Sequence, residues 1–292
     1  MRRSPVTNED ICRWKVQGLG YGEGATYKPW IDIRCFSSKG RMSRRPGTTT
    51  RRMHHLFSDN EDHFFLMADY AAGVVDIREQ FPLFPESSTQ EIAQSMGCQH
   101  PKYPYSTTPL VMTTDFLLTV IEKSGSHSLI AWSLKSTDEL RGRSRKSVLA
   151  KLEIEQRYWL QRGVPWRLFT SEDFDHTFID NLDWLSYFMV ENGVDAIEFA
   201  AKLSTFLSAF ESALSQGLPL KDQLRICAVA LGGAAYSELV TDMFRYCTWH
   251  QLIELDLTVP ISLQRVPSVH SVHQLQAVDE CLGGGDGISS NI

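Results

Sequence analysis

The apolar positions of the chain follow three rhythms. Leu129 to Lys135 alternates, with Ile130, Trp132 and Leu134 on one side and Leu129, Ala131, Ser133 and Lys135 on the other, the period of a strand with unlike faces. Val74 to Phe81 also reads as a strand, with Asp76, Arg78 and Gln80 sharing a face. Val111 to Val120 is almost wholly apolar on both alternating faces, which predicts a strand covered on both sides. A helical period governs residues 145–162, where Val148, Leu152 and Trp159 make one stripe with Glu155 on it. Val164 to Thr170 reads as a further strand. Helical spacing returns over Phe174–Glu191, Asp195–Leu214, Leu220–Leu231 and Ala235–Trp249, and Leu252 to Val259 reads as a strand.

The chain before residue 74 is less regular. Glu9 to Gln17 predicts a short helix, and Gly18, Gly20, Gly22, Gly24 and the basic stretch through Arg44-Arg45-Pro46-Gly47 read as a flexible approach. Ser58 with Glu61 three residues later is a capping-box pattern opening a helix on which Glu61 shares a face with Phe64 and Ala68. Residues 86–107 read as a long irregular loop bearing prolines, and 266–292 as a disordered tail ending in Gly283-Gly284-Gly285-Asp286-Gly287. Three domains result: 1–173, with a basic N-terminal segment and a mixed α/β unit; 174–265, mostly helical; and the tail 266–292.

Charge sharpens this division. The net of −6 hides 12 Lys and Arg against 5 Asp and Glu in residues 1–60, a local +7 that leaves −13 for the rest. Arg34, Lys39, Arg41, Arg44, Arg45, Arg51 and Arg52 crowd one region, either phosphate contacts or a solvated loop. Arg141, Arg143, Arg145 and Lys146 form a second basic run, again a DNA contact or a solvated turn. Arg78 belongs either to a solvated edge or to a polar floor facing nucleic acid. The six cysteines lack CxxC or metal-ligand spacing and read as reduced thiols. No signal peptide and no apolar run of about 20 residues is present, so a soluble, cytoplasmic protein with no membrane contact is expected.

The candidate chemistry lies on the two central strands. Asp115 sits in the middle of an apolar strand, where an uncompensated carboxylate is costly. Lys135 ends the next strand, two residues after Ser133. An acid and a lysine on paired strands are either a structural ion pair or the acid-plus-lysine set of metal-dependent phosphodiesterases. Glu61 either caps its helix or turns inward to join them, and Glu155 either pairs with Lys151 or supports the same site. The predicted order of helix, strand, loop, strand, strand, helix, strand is that of the restriction-endonuclease-like PD-(D/E)xK core. The three helices and β element that follow have the outline of a winged helix, or of a plain helical interaction domain. Lys221 and Arg225 are sparse for a DNA reader and Glu238 and Asp242 are acidic, which favours protein contact there.

Five separated motifs carry a resemblance. They are His54-His55-Leu56-x-Ser58-Asp59-x-Glu61; Asp76-Ile77-Arg78-Glu79-Gln80-Phe81-Pro82-Leu83; Met112-x-Thr114-Asp115-Phe116-Leu117; Lys135; and Lys151-Leu152-Glu153-x-Glu155-x-Arg157-Tyr158-Trp159. In this order they resemble the TnsA family, endonuclease subunits of heteromeric cut-and-paste transposons, CRISPR-associated ones included. The resemblance implies Glu61, Asp115 and Lys135 as catalytic residues. It implies one or two Mg²⁺, with Mn²⁺ able to substitute, held by Glu61 and Asp115, with Ser133, the Leu134 carbonyl and Glu155 as further candidates. It also implies cleavage of the 5′ strands at transposon ends, a DDE transposase partner that handles the 3′ ends, and an AAA+ ATPase bound through the C-terminal domain. Ser133 departs from the acid that many nucleases of this fold carry there. That departure leaves a second class of function open, a weak or inactive nuclease fold acting as an adaptor between transposase, regulator and DNA.

Overall fold

Strand, turn and capping signals place most elements close to expectation. The computed structural model describes residues 5–31, 41–188, 194–233 and 237–274. In chain order the elements are α1 (Asn8–Val16), β1 (Ser43–Pro46), β2 (Met53–Leu56), α2 (Asp59–Tyr70), β3 (Val74–Pro82), α3 (Glu86–Ser95), β4 (Thr113–Ile121) and β5 (His127–Lys135). They continue with α4 (Thr137–Arg141), α5 (Arg145–Leu160), β6 (Trp166–Thr170), α6 (His176–Ser186), α7 (Val194–Leu214), α8 (Leu220–Ala230), α9 (Glu238–Trp249), β7 (Ile253–Leu255) and β8 (Val269–Val272). Two compact units result, Met1–Leu182 and Asp183–Ile292. No helix among the described residues is long and apolar enough to cross a membrane.

The first unit is built on a four-stranded mixed sheet in the order β3-β4-β5-β6, antiparallel except for the parallel β5–β6 pair. Helices cover both faces. On one, Phe64 of α2 packs against Phe116, Trp132 and Phe169 at ring separations of 5.1, 5.2 and 5.7 Å. On the other, Leu117 and Ala131 meet Ile92 and Ala93 of α3 and Ile154, Tyr158 and Trp159 of α5. Each face buries the alternate residues of the same strand, which is why β4 reads as continuously apolar. Gly20 makes the N-terminal segment fit: its φ is +80°, and a Cβ there would come within 2.3 Å of Pro82.

Four expectations need correction. The end of the basic segment is no loose approach, because Ser43–Pro46 pair with Met53–Leu56 in the antiparallel ribbon β1–β2; residues 32–40 lie outside the described residues. Residues 86–107 contain α3, whose Thr89, Ile92 and Ala93 are buried; without a strong stop signal its amphipathic pattern was hidden among prolines. The strand expected over 252–259 is only β7, and its partner β8 lies within the stretch read as a disordered tail. Residues 275–292 lie outside the described residues. The second unit packs Phe206, Phe210, Leu224, Cys227, Phe244 and Cys247 into its core.

Three buried carboxylates fasten the β1–β2 ribbon. Asp62 accepts from Arg45 at 2.8 and 2.6 Å and from Ser43 at 2.5 Å. Asp69, two helical turns on, accepts from the backbone N–H groups of Thr48 and Thr49, each at 2.9 Å. Glu79 of β3, fully buried, accepts from Arg52 through both guanidinium amino groups, from His54 Nδ1 at 2.8 Å and from the His55 N–H at 3.1 Å. Burial works against the Glu79 charge, yet the hydrogen bonds from Arg52 and His54 prevail and hold its pKa near about 2. A depressed carboxyl stabilises the fold above its ordinary value of 4.5, and that contribution is lost as pH falls from there through about 2. The E79Q variant is therefore expected to lose on the order of 3 kcal/mol in urea unfolding at pH 7. Its deficit should shrink as pH is lowered from 4.5 towards 3; a deficit constant over that range would refute the assignment.

Candidate active site

The two central strands part company at one end. β4 and β5 stay in register from Ile121↔His127 to Phe116↔Trp132 and pair no further. Beyond that point β4 remains bonded to β3 (Phe81↔Thr114, Pro82↔Thr113), and β5 to β6 (Ser133↔Leu168, Leu134↔Phe169, Lys135↔Thr170). The fork leaves backbone groups of the inner edges without ladder partners, and a buried N–H must find another acceptor. Leu134 N–H finds the Asp115 carboxylate, at 2.7 Å. The same Asp115 oxygen accepts from Lys135 Nζ at 3.2 Å, and Lys135 Nζ also donates to the Leu134 carbonyl at 2.6 Å.

Helices from both faces add carboxylates. On α2, Ser58 caps the Glu61 N–H at 3.2 Å, while the Glu61 side chain accepts from Phe57 N–H at 3.0 Å and from Gln80 Nε2 at 3.3 Å. Glu61 thus sits at the helix start and is buried, within reach of Gln80 on β3. Gln80 reaches it from a left-handed backbone (φ 49°), and Thr113 Oγ1 supports the amide oxygen of Gln80 at 3.3 Å. On α5, the buried Glu155 accepts hydrogen bonds from the hydroxyls of Thr114 and Ser133, one from each side of the fork. Ser133 therefore holds Glu155 in place, and a carboxylate from α5 stands beside position 133. The supporting roles of Gln80, Thr113 and Thr114 escaped the sequence reading; strand alternation points Thr114 away from Asp115, and only the fork lets both serve one site.

The groups feel one another. Burial first, then the Asp115 charge, pushes Glu61 up to about 8, against the pull of Phe57 N–H, Lys135 and Gln80. Burial, then Asp115, likewise raises Glu155 to about 7, opposed by Ser133, Thr114 and Lys135. Lys135 is disfavoured as a cation by burial, yet Asp115, then Glu155 and Glu139, outweigh this and raise its pKa. The ammonium stays charged, which suits orienting a water or a phosphate and not abstracting a proton. Three carboxylates against one ammonium leave the cluster short of positive charge, and an all-oxygen donor set suits a hard divalent cation. Among the described residues no three His, Cys, Asp or Glu side chains form a ready-made cage.

The basic residues divide sharply. Arg34 and Lys39 lie outside the described residues. Arg41, Arg44, Arg51, Arg141, Arg143, Arg145 and Lys146 are exposed, Arg41 at 4.0 Å from Asp59 and Arg141 at 3.6 Å from Glu172. Arg45, Arg52 and Arg78 correct the expectation of DNA contact. Arg45 is clasped by Asp62 and Arg52 by Glu79, and the buried Arg78 lies 3.2 Å from Asp76 and donates to Thr119 at 3.1 Å. In the ribbon Arg44 and Arg45 point to opposite sides by strand alternation, so one arginine of the pair faces solvent and the other the α2 carboxylate.

The sequence has counterparts among known proteins. Residues 72–171, which include Asp115, Ser133, Lys135 and Glu155 but not Glu61, match the sequence model of the family described as "TnsA-like endonuclease N terminal". The Transposon Tn7 transposition protein TnsA of Escherichia coli is 36% identical over 201 residues, 69% of this chain and 70% of that protein. With a partly buried acid–lysine pair inside the matched region and this extent of likeness, the chain belongs to the TnsA family and carries a TnsA-like endonuclease domain.

Proposed function

We propose that the chain is a Mg²⁺-dependent DNA endonuclease that cuts the 5′, non-transferred strands at transposon ends. It works with a DDE transposase and an AAA+ regulator. The observation that carries this reading is the fork, where Asp115 and Lys135 meet beside Leu134 N–H while Glu61 and Glu155 close in from the two faces. Asp115 and Glu61 would hold Mg²⁺, with Glu155 in support. The ion supplies Lewis-acid stabilisation of the phosphate charge in an in-line displacement. Lys135, kept charged by its acidic neighbours, donates to the attacking water or to a non-bridging oxygen and fixes its line of approach. Leu134 N–H and Lys135 together keep the Asp115 carboxylate in one orientation before substrate arrives. Exposed Arg41, Arg44 and Arg51 on one side and Arg141, Arg143, Arg145 and Lys146 on the other contact phosphates without regard to sequence.

The second unit, three helices followed by the β7–β8 ribbon, is read as a winged-helix-like domain that engages the AAA+ partner. The adaptor reading rested on Ser133. Glu155, hydrogen-bonded to that serine, restores the acid and supports catalysis.

Three outcomes follow. In a reconstituted excision assay, Asp115→Ala or Lys135→Ala should lower 5′-strand cutting by about 100-fold or more, with 3′ joining retained and cointegrates accumulating. Unchanged double-strand excision in either variant would remove the hydrolytic assignment. Because Glu61 is raised from 4.5 to about 8, stability present below 4.5 is lost as pH climbs through 8. E61Q should thus melt about 2–4 °C above wild type at pH 8.5 without divalent ions and no higher at pH 5. Mg²⁺ should raise the wild-type Tm at pH 8.5 and leave D115N unmoved. Finally, replacing Arg143, Arg145 and Lys146 together by Ala should flatten the slope of log affinity for duplex against log salt by roughly 2–3 units. Arg52→Ala should instead lower stability, and a changed salt slope with intact stability would reverse that assignment.

A further inference from the structure

The loop that leads into β4, the strand of Asp115, carries an exposed aromatic ring at its tip. Residues 99–112 run from α3 into β4, joining it two residues before Asp115 is reached at position 115. The loop is tightly tied. Leu110 N–H donates to Pro101 O at 2.9 Å and Tyr103 N–H to Thr108 O at 3.1 Å. The hydroxyls of Ser106 and Thr108 both donate to Val6 O, at 2.6 and 3.0 Å. Tyr103 is buried with Ile11, Trp30 and Val111. At the tip, Ser106 N–H closes a turn onto Tyr103 O at 3.1 Å, with Pro104 and Tyr105 as its central residues. Tyr105 has φ 59° and is 95% exposed. Proline followed by a left-handed residue is the pattern of a type II turn, whose second central position sterics reserve for Gly or Asn. A tyrosine stands there against backbone preference, its ring in solvent.

The loop itself carries no negative side chain. No Asp or Glu occurs between Glu91 and Asp115, in a chain with 35 acidic residues, and the exposed side chains of the loop include Lys102 and Thr107. A cation, hydroxyls and a protruding ring on a stiff mount are the means by which proteins grip nucleotides without reading sequence.

We propose that this turn is a DNA-contact element in which Lys102 meets a backbone phosphate and the Tyr105 ring lies against the nucleosides flanking the scissile phosphate. The proposal rests on the endonuclease reading above. It is tested with the full-length protein and a short duplex of the transposon end carrying 5-iodo-deoxyuridine beside the cut position. Ultraviolet crosslinking followed by peptide mapping should recover Tyr105 joined to DNA. Tyr105→Ala should weaken duplex binding about 10-fold and raise KM for cleavage more than it lowers kcat, whereas Tyr105→Phe should bind within about twofold of wild type. Tyr105→Gly should lose binding equally while its Tm stays level or rises, since the turn is relaxed; a lowered Tm would show that the ring packs on the fold. Wild-type binding by the Ala variant without a crosslink would overturn the proposal while the endonuclease reading stands. A loss confined to association with a partner protein would make the turn a protein contact and overturn it too. A wild-type protein that neither binds nor cuts DNA would remove both.

Discussion

The first unit depends on a break in its own sheet. Sheets gain by pairing every inner backbone group, and β4 and β5 forgo that gain over their last residues while keeping their outer partners. The vacancy is filled by a side chain: Asp115 takes the Leu134 N–H that a carbonyl would otherwise have taken. A carboxylate placed by a backbone hydrogen bond in mid-sheet is held more tightly than one on a loop. Lys135 is then fixed by the same carboxylate and by the carbonyl one residue before it.

Around this break the charges are sorted by burial. Asp62, Asp69 and Glu79 each meet donors matched in geometry and serve structure, so Glu79 is driven far below its ordinary range. Glu61 and Glu155 are equally deep, share a single nearby ammonium and are driven upward. The contrast separates carboxylates matched by cationic donors from carboxylates that share too little positive charge, and only the second group sits at the fork.

Much of the candidate site was legible in the residues. The apolar run around Asp115, the alternation that ends at Ser133 and Lys135, and the inward face of Glu61 and Glu155 each follow from local periodicity, and the structure places all five together. What periodicity could not convey was the fork, since register between strands is a tertiary property. For that reason the supporting parts of Thr114 and Gln80 were missed, and Ser133, a metal-ligand candidate from the resemblance, is a hydrogen-bond donor to Glu155. The arginines failed for another reason. A count of basic residues cannot tell Arg44 from Arg45 until a strand assigns them opposite sides, and the partners of Arg45 and Arg52 lie 17 and 27 residues away. The helix α3 and the strand β8 were hidden by prolines, glycines and short length, where local propensity is weakest.

Glu155 grasps both prongs of the fork from above, through Thr114 on one and Ser133 on the other. The helix that bears it opens on Arg145 and Lys146, about 15 Å along its axis from the carboxylate. One side chain thus spans the opening between the prongs, so the separation of the two strand ends is tied to the packing of α5 on the sheet.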